Sequence, residues 1–135
     1  MSYAFSPYFA ALIRDWLSQE SQLPTPPTDL YVTLFDDQGN ELSANLTGAR
    51  AQVPASTDWT VTNTEFENVN EISLGEASTT IENVTDGAIF DAATGGNLLL
   101  KDELAEGPFN IANGTEFVFA PGDISADILD NSEEP

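Results

Sequence analysis

The side chains with the greatest chemical potential in this chain are carboxylates, because 23 of its 135 residues are Asp or Glu. Two carboxylates held close together can act as acid and base in glycoside cleavage. With so many acids, adjacent pairs such as Asp36/Asp37 and Asp102/Glu103 are expected by chance and identify no site. The chain contains no Cys and no His, which excludes thiol–imidazole dyads and Ser-His-Asp triads. We therefore predict no catalytic residue and no enzymatic activity.

Cofactor and metal sites are also weakly indicated. The Gly95-Gly96 pair lacks the lysine of a phosphate-binding loop, so nucleotide binding of that kind is not predicted. The acidic turn over 36–40 is similar to the start of a calcium loop, but Glu41 stands where such a loop requires Gly. A carboxylate-only cation site stays open without a ligand set that can be named. We predict neither a cofactor nor a metal site.

A glycine-containing turn between two apolar runs is the strongest structural signal in the chain. The apolar runs are residues 88–90 and 98–100, and residues 91–97 connect them. Gly95, Gly96 and Asn97 reach positive φ at low steric cost, which favours a β-hairpin. We expect Asp91 to hydrogen-bond the backbone of this turn. Neither run alternates with polar residues, so both faces of each strand should be covered.

An amphipathic helix is predicted near the N-terminus. Ser6 suits the N-cap position and Pro7 the first helical position. Apolar residues then recur at helical spacing and form one stripe, consisting of Phe9, Leu12, Ile13, Trp16 and Leu17. The helix should end near Glu20, before a proline-rich step over 24–28. We interpret the stripe as core packing, with docking on a neighbouring subunit as the alternative.

The remainder of the chain is typical of short strands separated by turns. Besides the hairpin, strands are predicted over 30–35, 50–53, 59–64, 71–74, 78–84, 109–111, 117–119 and 124–128, and a turn over 66–70. This pattern favours an antiparallel β-sandwich or small barrel of about seven to nine short strands, preceded by the helix. We predict an N-terminal arm and helix over 1–23, a β-sandwich domain over 24–129 and an acidic tail over 130–135.

The charge balance restricts the partners. Only Arg14, Arg50 and Lys101 oppose the 23 acids, so the net charge is −20. Phosphate contacts need Lys and Arg, and we therefore predict no nucleic-acid partner and no binding to anionic membranes. The acid suits either a high-salt environment or a positively charged partner. The N-terminus lacks a basic region and no apolar run reaches the length of a membrane span, so we expect synthesis in the cytoplasm without a signal peptide.

Two stretches carry a resemblance to a known family: Asp-Leu-Tyr-Val-Thr-Leu-Phe over 29–35 and Gly-Ala-Ile-Phe-Asp-Ala-Ala-Thr-Gly-Gly-Asn-Leu-Leu-Leu over 87–100. With the N-terminal helix and the proline-rich step, the chain resembles small virion proteins of tailed bacteriophages and related archaeal viruses, often labelled tail fibre proteins. Members usually carry an aromatic–Arg pair in a middle strand, whereas here Ala49 precedes Arg50. A tryptophan often found ahead of the Asp-Ala-Ala block is replaced by residues 79–84. The resemblance implies a structural virion component without enzymatic activity.

Three functions are compatible with these features. The favoured one is a capsid decoration (cement) protein, which binds the major capsid protein and ties neighbouring capsomers together. The second is a tail or tail-fibre component used in assembly or host attachment. The third is a carbohydrate-binding β-sandwich with Trp59 and Tyr31 as stacking platforms, although core packing explains two such aromatics better. For a virion protein we expect a homo-oligomer or repeated copies on the particle.

The partner interface is predicted in the N-terminal arm, at Tyr3, Phe5, Tyr8 and Phe9. Tyr3 and Phe5 precede the helix cap and have no evident place on the apolar stripe. Exposed aromatic residues beside a stable helix are typical interface anchors. The expected partner is the major capsid protein or another virion protein.

Overall fold

The computed structural model describes residues 4–62, 65–105 and 107–127 of the chain. In this part the protein is mainly antiparallel β with one α-helix ahead of the large strands, which confirms the predicted fold class. Helix α1 (Pro7–Leu17) begins as predicted, because the Ser6 hydroxyl accepts the backbone N–H of Phe9 at 3.0 Å. The strands are β1 (Ala4–Phe5), β2 (Asp29–Asp36), β3 (Ala51–Pro54), β4 (Trp59–Thr62), β5 (Glu65–Asn68), β6 (Ile72–Glu76), β7 (Ile81–Phe90), β8 (Leu98–Glu103), β9 (Phe109–Ile111), β10 (Glu116–Phe119) and β11 (Ser125–Asp127).

The largest sheet is centred on the predicted hairpin. Its strand order is β1-β8-β7-β2-β3, and β9 pairs with another part of β7. Ile89 of β7 lies opposite Leu100 of β8, which confirms the hairpin. On the other side of β7, Ile89 lies opposite Val32 of β2, which in turn faces Ala51 of β3. These four side chains are buried and form one apolar row across the sheet.

Strand β7 is longer than the sequence pattern indicates. Residues 78–84 and 88–90 were expected to form separate strands, but one ten-residue strand runs from Ile81 to Phe90. Asn83 adopts a positive φ of 57°, and the pairing of β7 with β9 shifts register between Ile81 and Val84. Asn tolerates this conformation, so the irregularity acts as a bulge within one strand instead of ending it.

Two smaller sheets complete the described fold, one of order β10-β6 and one of order β11-β5-β4. The predicted turn over 66–70 is wrong, because its first half belongs to β5. Asn68 is only 1% exposed, and its amide donates to the carbonyls of Asn70 and Ala120 while its oxygen accepts the N–H of Ile124. The residue that indicated a turn therefore serves as a buried hydrogen-bonding centre between two loops.

One apolar core is shared by all three sheets. Leu34 of β2, Leu74 of β6 and Trp59 of β4 are all buried in it. The burial of Trp59, which stacks on Phe66 at a centroid distance of 4.8 Å, leaves no open platform for a sugar at this position. Tyr31 is half-buried. Trp59 therefore packs in the core, which is the role that the sequence favoured over sugar binding.

Several sequence-based boundaries fall outside the described residues. The predicted strand 59–64 is seen as far as Thr62, and the predicted strand 124–128 is seen as β11. Residue 128 and the predicted acidic tail over 130–135 lie beyond the described part. The division into arm, sandwich domain and tail stays a prediction. None of the helices in the described ranges has the length and apolar character that crossing a bilayer requires.

Candidate interaction surface

The N-terminal segment lies against the edge of the largest sheet. Phe5 in β1 faces Leu100 in β8, and the backbone N–H of Ser6 donates to the carbonyl of Leu99 at 2.8 Å. Ser6 is itself buried. The segment thus enters the fold as a short edge strand, and α1 follows directly from it.

The structure brings together part of the predicted aromatic interface. The rings of Phe5 and Phe9 lie 4.7 Å apart, and Phe9 also packs against the core. Phe5 therefore contacts the apolar stripe of the helix, contrary to the expectation that it has no place there. Tyr8 is half-buried, Phe5 is 37% exposed, and Tyr3 lies outside the described residues. The role of these four residues in a partner interface stays a prediction.

The apolar stripe of α1 is not core packing along its whole length. The helix contains no buried residue, and Trp16 and Leu17 are 52% and 70% exposed. Helix α1 contacts β8 and β1, so the described part of the chain covers only one end of the stripe. The prediction of a core face is therefore wrong for Trp16 and Leu17, because an amphipathic pattern does not specify which molecule covers it.

A further exposed apolar side chain follows the helix. Leu23, in the coil that leads to β2, is 46% exposed. We refer to Phe5, Trp16, Leu17 and Leu23 as the N-terminal apolar group. Exposed large apolar side chains of this kind, when concentrated in one part of a protein, are typical of interaction sites.

The N-terminal apolar group occupies a part of the chain that carries little net charge. Residues 1–28 contain Arg14, Asp15 and Glu20 as their only charged side chains, so they carry −1 of the total charge of −20. Arg14 and Asp15 lie 3.5 Å apart and are partly or largely exposed. A partner that contacts these side chains therefore meets a segment whose own residues add little to the negative charge of the chain.

The predicted hairpin turn has the geometry that its sequence indicates. The carboxylate of Asp91 accepts the backbone N–H of Asn97 at 2.7 Å and its side-chain amide at 3.1 Å. The N–H of Asp91 donates to the carbonyl of Asn97 at 3.1 Å. Gly95 and Gly96 have φ values of 59° and 69°. Asp91 thus closes the turn, as expected from the sequence.

Arg50, which lies in the connection between β2 and β3, holds the same turn in place. Its guanidinium donates two hydrogen bonds of 2.7 Å to Glu41 and two of 2.8 Å to the carbonyls of Ala92 and Gly95. The Arg50 side chain is only 7% exposed, and its Cζ lies 3.7 Å from the ring centroid of Phe90. An aromatic side chain therefore contacts this arginine, although the residue directly before it in the sequence is Ala49.

Arg50 and Lys101 are the two cations of the strand-forming region, and each of them lies over an aromatic ring. The Lys101 ammonium is 4.3 Å from the ring centroid of Phe35, which stacks with Phe90 at 6.2 Å. Cation–π contact of this kind contributes about 0.5–2 kcal/mol. Both cations are thus engaged in holding the largest sheet together.

Two carboxylates are stabilised in their charged form. Hydrogen bonds from Arg50 hold the pKa of Glu41 below its usual range. The backbone N–H of Asn40 likewise lowers the pKa of Asp36. Asp36 also accepts the N–H of Gln38 at 2.9 Å, so its carboxylate stabilises the turn that follows β2. The hydrogen bonds to Glu41 and Asp36 thus give both carboxylates a structural role.

The clefts of the described residues give little indication of a ligand. Across residues 4–62, 65–105 and 107–127, no three acidic side chains converge in a way that suits a metal ion. Two clefts have volumes of about 270 and 300 Å³, and the second is lined in part by Asp37, Asp86 and Glu103. An acidic cleft alone identifies no ligand. The N-terminal apolar group is therefore the strongest candidate for an interaction site.

Comparison with known proteins places this architecture in one family. Residues 4–127 match the family described as Podophage GP4 fiber I protein gp80. The matched range includes β1, α1 and all strands of the described sheets. No curated protein matches the chain.

Proposed function

Since the chain belongs to the Podophage GP4 fiber I protein gp80 family, we propose that it is a non-enzymatic tail-fibre component that attaches to another virion protein through its N-terminal apolar group. The family supports a phage fibre-type structural protein and a place in the virion. In the proposal the N-terminal segment binds, while the acidic β region forms the rigid body that extends from the binding site.

The observation that carries this proposal is the separation of exposed apolar surface from charge. Four of the six large apolar side chains exposed in the described ranges fall between residues 5 and 23. The same part of the chain holds −1 of the net charge of −20. A stable protein contact buries roughly 800 Å² per partner, with aromatic side chains such as Trp as frequent anchors. Trp16 is the natural anchor here.

Hydrogen bonds that join parts of the chain far apart in sequence support a structural role. Arg50 joins the β2–β3 connection to the hairpin turn, and Asn68 joins two loops of the smaller sheets. In each of the adjacent acidic pairs 36/37 and 102/103, one carboxylate accepts backbone N–H groups. Asp36 accepts backbone N–H groups of its own turn, and Asp102 accepts the N–H of Glu103. These contacts give Asp36 and Asp102 structural roles.

Attachment is tested by incorporation into particles. The substitutions W16S and L17E together should abolish incorporation of the protein into virions while leaving the β region folded. The control is V69S, which removes an apolar side chain that is 40% exposed and lies outside the N-terminal segment. Mass spectrometry of purified particles measures incorporation, and circular dichroism checks the fold. Full incorporation of the double variant would contradict the proposed attachment site.

Copy number distinguishes a fibre component from the capsid decoration that the sequence favoured. A fibre or tail component should be present in a few to a few dozen copies per particle. A decoration protein bound to the major capsid protein should be present in hundreds of copies. Densitometry of purified virions against the major capsid protein measures this ratio. A count in the hundreds would replace the fibre assignment with decoration, without affecting the attachment site.

A further inference from the structure

Strand β4 is an open edge of the small sheet β11-β5-β4. Within the described ranges β4 pairs with β5 on one side, and no strand pairs with its other side. Val61, near the centre of β4, is 69% exposed. The backbone groups on the outer side of β4 are thus available to another strand.

The composition of β4 does not protect this edge. Exposed edge strands usually carry Lys, Pro or inward-pointing charges that prevent pairing with other chains. Strand β4 reads Trp-Thr-Val-Thr and contains neither charge nor proline, although 23 residues of the chain are acidic. All four residue types favour β-structure. The edge therefore combines exposure with high strand propensity.

We propose that β4 is a self-association edge, at which two copies of this chain pair antiparallel with Val61 opposite Val61. The pairing joins the two small sheets into one six-stranded sheet of order β11-β5-β4-β4-β5-β11. The symmetry is two-fold, so the same strand contributes both halves of the contact.

The register is specified by the side chains that share a face with Val61. Within one copy, Val61 lies opposite Phe66, and Phe66 lies opposite Ala126. Two-fold pairing at Val61 extends this set into a row of six apolar residues across the joined sheet. Cross-strand apolar pairs each contribute roughly 0.2–1 kcal/mol. If one β4 strand shifted by one residue along the other, the apolar row of one copy would continue into the polar row of the second copy. This register is therefore disfavoured.

The same register keeps the acidic residues of the sheet apart. Thr60 lies opposite Glu67 and Thr62 opposite Glu65. In the proposed pairing Thr60 faces Thr62 of the second copy, so the nearest cross-copy Glu67 and Glu65 are three strand spacings apart. That distance is about 14 Å, which exceeds the Debye length of about 10 Å at 0.1 M salt. A second copy is therefore accommodated in spite of its net charge.

Disulfide trapping tests the register directly, because the chain contains no cysteine. Under mild oxidation V61C should form a disulfide-linked dimer at least about tenfold faster than V69C, since the two-fold axis places the first pair within bonding distance. Val69 is an exposed residue outside the strands and serves as the matched control. Equal rates for the two variants would overturn the proposal.

Sedimentation of the full chain in about 1 M NaCl, where charges are screened, tests the association itself. The wild type should form a dimer, and V61K should weaken it by about tenfold or more, because lysines replace the central apolar Val61 pair of the contact. V69K should leave the dimerisation constant unchanged, as should L17E in the N-terminal apolar group. A monomeric wild type, or a dimer lost in L17E and kept in V61K, would overturn the proposal and leave the attachment site intact.

Discussion

Arg50 is the residue whose role depends most on parts of the chain far from it. Its partners Ala92 and Gly95 come 42 and 45 residues later, and Glu41 comes nine residues earlier. A guanidinium that is 7% exposed is tolerated because all its faces are occupied by a carboxylate, carbonyls and a ring. No local pattern indicates these contacts, so sequence reasoning identified Arg50 only as a retained family position.

Removal of Arg50 should therefore be costly. We expect R50A to lower the free energy of unfolding by about 3 kcal/mol, because Glu41 loses its partner and two loop carbonyls lose their donors. The matched control R14A removes an arginine that is 73% exposed and should change stability by less than about 0.5 kcal/mol. Urea denaturation measures both values. Similar losses in the two variants would contradict the role assigned to Arg50.

The lowered pKa of Glu41 predicts a specific pH dependence. The charged carboxylate is favoured in the folded state, so its contribution is complete above the ordinary value of 4.5 and is lost as pH falls through the lower folded pKa. The difference in unfolding free energy between wild type and E41Q should be largest near neutral pH and should shrink in acid. Denaturation of both proteins across this range measures it. A difference that stays constant from about pH 6 to pH 3 would contradict this expectation.

At the scale of elements, the hairpin was predictable because its signals are local. Asp91, Gly95, Gly96 and Asn97 fix the turn within seven residues. The exposure of α1 was not predictable, since Trp16 and Leu17 fit a core-facing stripe as well as a docking face. The sequence does not indicate strand β5, because β5 contains two glutamates and an asparagine. The burial of Asn68 is explained only by its hydrogen bonds to residues outside the strand.

The two glycines of the hairpin turn should differ in their tolerance of a side chain. G95A should cost about 1 kcal/mol, from the positive φ alone, because open space surrounds an added Cβ. G96A should cost at least about 2 kcal/mol, since its Cβ would lie 2.6 Å from the Cβ of Ala92 and from a carboxylate oxygen of Asp91. Thermal unfolding of both variants provides the comparison. An equal cost would show that the loop relaxes around residue 96.

At the scale of the whole molecule, most of the charge lies after residue 28, whereas four of the six exposed large apolar side chains in the described ranges lie before it. The region from residue 29 onward carries −19, and two of the three cations of the chain, Arg50 and Lys101, are engaged there with aromatic rings. Self-repulsion among the remaining acids opposes the compact state. The sequence indicated this charge, but it did not show that Trp16, Leu17 and Leu23 in the near-neutral N-terminal segment are exposed.

Added salt should therefore stabilise the isolated protein. The Debye length falls from about 30 Å at 0.01 M to about 3 Å at 1 M, so repulsion among exposed carboxylates is screened. We expect a higher melting temperature in molar NaCl than in dilute buffer, measured by calorimetry. The variant E71Q/E82Q/E103Q removes three exposed carboxylates and should gain less from salt. A melting temperature that stays flat or falls with NaCl would contradict the electrostatic origin.

The connection between α1 and the sheets determines how a pulling force enters the protein. The coil after α1 contains Pro24, Pro26 and Pro27, which restrict its backbone, and it leads directly into β2. Strand β2 is paired on both sides, by β7 and by β3. Tension applied at an anchored helix is thus transmitted to an inner strand, where the hydrogen bonds on both sides share the load. Such a linkage suits a part that must stay attached while the particle it belongs to collides with a surface.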